Sequence, residues 1–256
     1  MTVLNGGYMS GHSKWHSIRH KKGAVDAKRG KLFTKIIREI TVAARQGGGD
    51  PDANPRLRTI ITKAKEANMP KDNIEKAIKK GTGELAGYNL EEITYEGYGP
   101  AGVAIMIDVM TDNRNRTTAD IRSLLTKSGG NLGENGCVSW IFNTKGVFTI
   151  SADKYDEDTA VEAALEAGAD DVKKDGDVWD ITTSPENFHS VKNHLEQNGF
   201  ELLVNDVMRV PTTTVRLEKK DAEKILSLME KLEDHDDVQN VAANFDIPNE
   251  IMQEIS

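Results

Sequence analysis

The chain has 256 residues, enough for one large or two to three small domains, and 38% hydrophobic with 29% charged residues marks a globular protein rather than a disordered or membrane one. Its formal net charge of −8 hides an uneven split: residues 10–82 carry 18 Lys plus Arg against 7 Asp plus Glu, a net of +11, and the remainder carries 15 against 34, a net of −19. A lone cysteine, Cys137, excludes an internal disulfide and a multi-thiolate metal site, and fits a reducing, cytoplasmic setting.

No run approaches the ~18 apolar residues of a spanning helix, and the first residues lack the charged-then-apolar pattern of a signal peptide. Met9 is a candidate natural start. The segment Ser10–Gly23 mixes small, basic, aromatic and histidine residues without a continuous apolar stripe, which predicts an extended basic arm. Trp15 has two readings, stacking on a base or docking on the helices that follow, and Lys14, Arg19, Lys21 and Lys22 suit phosphate contact. His12, His16 and His20 fall four apart, but cations surround them and no carboxylate or thiol stands beside them, so no metal site is expected.

A first helix is predicted from about Val25 to Gln46, stopped by a run of glycines. At roughly 100° per residue, Leu32, Phe33, Ile36, Ile37, Ile40, Ala43 and Ala44 share one face. Lys28, Lys31, Lys35, Arg38 and Arg45 share the adjoining one, with Arg29 off the pattern in the first turn. Asn54-Pro55 predicts the capped start of a second helix with Leu57, Ile60, Ile61 and Ala64 inward, ended by Asn68-Met69-Pro70. A short third helix turns Ile74, Ala77 and Ile78 inward and stops at Gly81. Three stripes that each need a partner predict a three-helix bundle. From Lys14 to Arg45 the cations are met only by Asp26 and Glu39. That density repels itself, and phosphates of a nucleic acid would relieve it.

The acidic remainder reads as two α/β units. Strand Val147–Ile150, a helix Asp156–Ala167 with Val161, Ala164 and Leu165 inward, strands Asp171–Lys173 and Val178–Ile181, a helix from Ser184-Pro185 to Gln197 and a strand Phe200–Val210 give βαββαβ, the order of a ferredoxin-like sandwich. Around it, strands near Ile93–Tyr95 and Val103–Met110, a helix Arg114–Lys127, strand Thr212–Leu217, helix Asp221–Leu232 and strand Val238–Ala243 suggest a second sheet-and-helix domain, split in sequence. Arg114 and Arg116 open one helix; they are read either as a second phosphate contact or as arginines paired with local acids beside a cap from Asp112 or Asn113.

The search for catalysis is nearly empty. Gly81-Thr82-Gly83 lacks the Walker pattern, and the cluster Glu233-Asp234-His235-Asp236-Asp237 reads as a solvated loop after a helix. Cys137, beside Val138 and Trp140, reads as buried. No enzyme, cofactor, metal or small-molecule substrate is expected.

Several segments, among them Met9-Ser10-Gly11-His12-Ser13-Lys14-Trp15, Arg19-His20-Lys21-Lys22, Asn68-Met69-Pro70-Lys71-Asp72-Asn73-Ile74, Tyr95-Glu96-Gly97-Tyr98-Gly99-Pro100 and Asn113-Arg114-Asn115-Arg116-Thr117, resemble the YebC/PmpR family over Met9 to Ile247. The resemblance implies three domains, a helical bundle and two α/β domains, one interrupting the other. It also implies a probable transcriptional regulator that binds promoter DNA. Mitochondrial members of that family are described as translational activators, and bacterial ones are linked to ribosomes and to synthesis of proline-rich stretches.

The expected architecture is therefore α+β. It comprises a basic arm (1–23), a helical bundle (24–82), a split α/β domain (83–136 and 209–247), an inserted ferredoxin-like domain (137–208) and a tail (248–256). The expected function is a nucleic-acid-binding regulator of transcription. The alternative is a ribosome-associated translation factor binding rRNA, and a metal- or Cys137-dependent enzyme is the remote third.

Overall fold

A computed structural model describes residues 26–87 and 89–255. The architecture is α+β: an N-terminal three-helix bundle followed by two four-stranded sheets covered by helices and a small two-stranded sheet.

Helix α1 (Asp26–Gly47) packs against α2 (Pro55–Glu66) and α3 (Lys71–Thr82). Ile36, Ile40, Ala43 and Ala44 of α1 meet Leu57, Ile60, Ala64, Ile74 and Ala77 in one core, which is the expected stripe. Leu32, placed in that stripe by its angle, is exposed instead, while its neighbour Phe33 packs against the core. The Asn54 side chain accepts from the Leu57 N–H at 3.1 Å, starting α2, and donates to the Ala43 and Gly48 carbonyls at 2.9 Å, tying that start to the end of α1. Gly81 lies within α3 rather than ending it, and only glycine fits there because a Cβ would fall 2.5 Å from the Thr41 carbonyl oxygen; the stop is Gly83 in the left-handed region.

The first sheet contains β1 (Glu91–Tyr98), β2 (Ala104–Thr111), β3 (Asn131–Leu132) and β9 (Val238–Ala243) in the order β3-β1-β2-β9, all antiparallel. Helices α4 (Arg114–Lys127) and α7 (Lys219–Glu233) cover one face, where Ile105, Ile107, Ile121, Leu125, Ile225 and Leu228 are buried together. Two expectations change here. Thr212–Leu217 was expected as a strand of this sheet; only β8 (Val215–Arg216) forms, and it pairs in parallel with β10 (Phe245–Asp246) instead. The fourth place goes to β3, two residues beyond the reach of any alternation pattern. The expected tail is helix α8 (Asn249–Ile255), whose Met252 is buried in the same core.

The second four-stranded sheet and its helices comprise β4 (Phe142–Ser151), α5 (Glu157–Ala167), β5 (Asp171–Asp175), β6 (Val178–Thr183), α6 (Phe188–Gln197) and β7 (Val204–Pro211). Its sheet order β5-β6-β4-β7, antiparallel throughout, is ferredoxin-like, as the order of elements predicts. The phase of α5 differs from expectation: Ala160, Ala163 and Ala164 face the core and Leu165 is 72% exposed. The core side of this helix is lined by small side chains, which hydrophobicity alone ranks below Leu. Ser184-Pro185 opens a single 3-10 turn ahead of α6, and the closing strand starts at Val204, not Phe200.

Asp180 of β6 is buried, with Oδ1 accepting from Thr149 Oγ1 at 2.5 Å and Oδ2 unpartnered. Burial pushes its pKa up to about 7; the Thr149 hydrogen bond opposes this and Asp175 adds to it. The folded chain therefore takes up a proton that the unfolded chain does not hold between about pH 4 and pH 7, and stability falls as pH rises through that window. Asp180→Asn is expected to remove this slope and to raise stability at about pH 8 by about 1–2 kcal/mol. Urea midpoints at the two ends of the window measure it, and an unchanged slope would refute the assignment.

Candidate nucleic-acid interface

The cationic face of α1 is not open to solvent along its length. It meets the turn that joins α7 to β9, residues 233–237. Lys31 Nζ lies 3.4 Å from an Asp234 carboxylate oxygen and donates to the Asp234 carbonyl at 3.3 Å. Lys35 Nζ donates to the Glu233 carbonyl at 2.9 Å. Arg38 Nη1 donates to Asp237 Oδ1 at 2.7 Å and to the Asp236 and Met110 carbonyls at 2.6 and 3.0 Å.

Asp237 is the centre of this seam. It is 2% exposed, and its Oδ2 accepts from Thr117 Oγ1 at 2.6 Å and from Arg116 Nη2 at 2.9 Å. Burial works against ionisation, but the hydrogen bonds from Thr117, Arg116 and Arg38 outweigh it and hold the pKa down to about 2. The expectation of a solvated acidic loop is therefore corrected at Asp237 and at Glu233, which is also buried. So is the premise that the α1 cations lack acids nearby: their partners lie about 200 positions along the chain.

Of the two readings of the Arg114 region, local pairing describes Arg116. Asn113 caps α4 by accepting from the Arg116 N–H at 3.1 Å, and the Arg116 guanidinium bridges Asp112 and Asp237. Arg114 is exposed, with no acidic partner among the described residues. Arg45 turns to the Asn89 side chain and the Leu90 carbonyl, at 2.8 and 3.1 Å. Arg29 lies 5.5 Å over the Phe33 ring. Lys14, Trp15, Arg19, Lys21, Lys22 and the Lys28 side chain lie outside the described residues.

The bundle carries a second set of cations that the sequence reading passed over. Arg58 and Lys65 of α2, and Lys76, Lys79 and Lys80 of α3, have no acidic partner among the described residues. All but the half-buried Lys80 are exposed. Helical spacing finds them: Arg58 and Lys65 stand two turns apart on one flank of α2, roughly 80–100° round the helix from the buried Leu57. By contrast Arg56 bonds Glu92 and Gln46, and Lys63 sits 3.9 Å from Glu39 and 4.0 Å from Asp206. Burial raises the Glu39 pKa despite Lys63.

Cys137 is half-buried, and burial followed by the Glu96 carboxylate pushes its thiol pKa up, away from the thiolate a nucleophile requires. Trp140, expected to bury it, is 72% exposed, its indole N–H donating to the Cys137 carbonyl at 3.1 Å. Glu96 fixes this loop by accepting from the backbone N–H groups of Gly136, Val138 and Ser139, each at 2.8 Å. No helix among the described residues is long and apolar enough to cross a membrane.

Comparison with known proteins agrees over nearly the whole chain. Residues 13–84 match the family model described as the TACO1/YebC protein N-terminal domain, and residues 90–245 match the TACO1/YebC second and third domain. A protein of Persephonella marina named "Probable transcriptional regulatory protein" is 57% identical over 250 residues, covering 97% of this chain and 100% of its own length. One of Geobacter sulfurreducens with a name of the same form is 58% identical over 247 residues, covering 96% and 100%. The crystal structure of a conserved hypothetical protein from Aquifex aeolicus superposes with a TM-score of 0.78 at 51% identity, covering 90% of this chain and 95% of that one. With both family models matched and full-length relatives above half identity, the chain belongs to the TACO1/YebC family.

Proposed function

We propose that the protein is a non-enzymatic regulator of transcription that binds DNA through its helical bundle. The observation that carries this reading is the surplus of cations on α2 and α3: Arg58, Lys65, Lys76 and Lys79 are exposed and have no acidic partner among the described residues. A compact domain holding that much unpaired like charge is stabilised by a polyanion, whose released counterions drive binding. The names of its relatives, probable transcriptional regulatory proteins, point the same way. Lys14, Arg19, Lys21 and Lys22 of the arm would add phosphate contacts, Trp15 a stacking ring, and Arg114 a contact from the first sheet domain. Lys28 and Arg29 extend the basic stretch at the start of α1.

In-cell crosslinking followed by identification of the bound nucleic acid tests this directly. Recovery of discrete duplex sites that survive excess nonspecific competitor DNA is the expected result. Recovery of rRNA with co-sedimentation on large ribosomal subunits would replace transcription with the alternative expected from the sequence, a ribosome-associated factor.

A further inference from the structure

We propose that the turn at residues 233–237 occupies, within the chain, the surface that nucleic-acid phosphates take on α1, so that Lys31 and Lys35 engage a polyanion only when this turn is displaced. The inference rests on the proposed nucleic-acid binding and adds a built-in competitor to it.

Three observations support it. First, the groups that meet the cations are oxygen acceptors, the kind of atom a phosphate would also offer: the carbonyls of Glu233, Asp234 and Asp236 and the carboxylates of Asp234 and Asp237. Glu233 is the last residue of α7, where the helix dipole places partial negative charge, so the helix end adds to the side-chain acids. Second, the contacts are graded. The Lys31–Asp234 pair is about half exposed on both sides and 3.4 Å long, which makes it weak and readily screened. Arg38–Asp237 is 2.7 Å long with a buried carboxylate, and Arg116 shares that carboxylate. The inner pair is suited to hold as a pivot while the outer contacts let go. Third, the seam opens onto a cleft of about 880 Å³ in which Lys31, Arg38, Lys80 and Arg116 face Asp112, Asp120, Asp234, Asp236 and Asp237. Acids outnumber cations there, so the closed seam repels phosphate until the turn moves.

The test uses the full chain and a fluorescein-labelled random-sequence DNA duplex, titrated by anisotropy at low salt. Asp234→Asn with Asp236→Asn leaves the buried Asp237 in place and is expected to tighten binding about three- to ten-fold. The same charge change on α5, Glu157→Gln with Asp158→Asn, is expected to change it by less than about two-fold. Adding Lys31→Gln and Lys35→Gln to the turn variant should abolish the gain.

A turn variant that binds no more tightly than the α5 control overturns the competitor, as does a gain that survives loss of Lys31 and Lys35. If the duplex binds neither wild type nor variants, the DNA-binding reading itself fails and takes this inference with it. If wild type binds and loses binding on substitution of the α2 and α3 cations while the turn variant shows no gain, only the competitor fails.

Discussion

Asp237→Ala is expected to destabilise the folded chain by about 3 kcal/mol, measured as a lowered urea midpoint with an unchanged denaturant slope. The carboxylate serves Arg38 of the bundle, Arg116 and Thr117 of α4 and the Thr111 hydroxyl at the end of β2. Its removal leaves two guanidinium groups short of an acceptor, and breaking one side of a buried pair costs more than the pair contributes over an apolar substitute. Arg116 is half exposed and recovers water, which keeps the expected loss at the lower end of the range for such pairs.

The same residue sets an acid limit. Its pKa, about 2 when folded, lies below the ordinary value of 3.8, so its contribution is complete above about pH 4 and lost as pH falls toward 2. That depression corresponds to about 2 kcal/mol. Asp237→Asn should flatten the wild-type loss of stability between about pH 4 and pH 2, and a variant that keeps the full acid slope would assign it to another carboxylate.

The parts of the fold legible in the sequence are those with a strong local period or a punctuating residue. Asn54-Pro55 starts α2 where the cap predicts, and the stripe Ile36, Ile40, Ala43, Ala44 faces the bundle core. The βαββαβ order carries through to a β5-β6-β4-β7 sheet because short connections leave few other pairings. Where the reading fails, a nonlocal preference wins over a local one. Leu165 loses its inward place to the buried Ala160, Ala163 and Ala164, and Val215–Arg216 pairs with Phe245–Asp246 rather than in the main sheet.

The site was legible as charge but not as pairing. Lys31, Lys35 and Arg38 form one helical face on angle alone, yet their acceptors lie 203, 198 and 199 positions away. Separation of that size leaves no trace in spacing, and the acidic run Glu233–Asp237 resembles any solvated helix end until the bundle is laid against it. The unpaired cations of α2 and α3 were within reach of the wheel that placed the α1 residues. They stand out structurally because the neighbouring Arg56 and Lys63 are matched with Glu92, Glu39 and Asp206, while they meet no acid among the described residues.

That difference determines where the largest effect on binding should appear. Replacing Arg58, Lys65, Lys76 and Lys79 together by Ala touches no ion pair among the described residues, so the urea midpoint should stay within about 1 kcal/mol of wild type. Affinity for duplex DNA at about 0.15 M salt should fall by about 10²–10³-fold, and the slope of log affinity against log salt should flatten by about three to four. Substituting Lys31 and Lys35 instead is a poorer probe of binding, because both side chains also hold the turn at 233–237 and any loss mixes affinity with docking. A quadruple variant that folds as wild type and binds with undiminished affinity and salt slope would remove the α2 and α3 cations from the interface. The phosphate contacts would then fall to the basic arm, where Lys14→Ala with Lys21→Ala and Lys22→Ala should produce the loss in their stead.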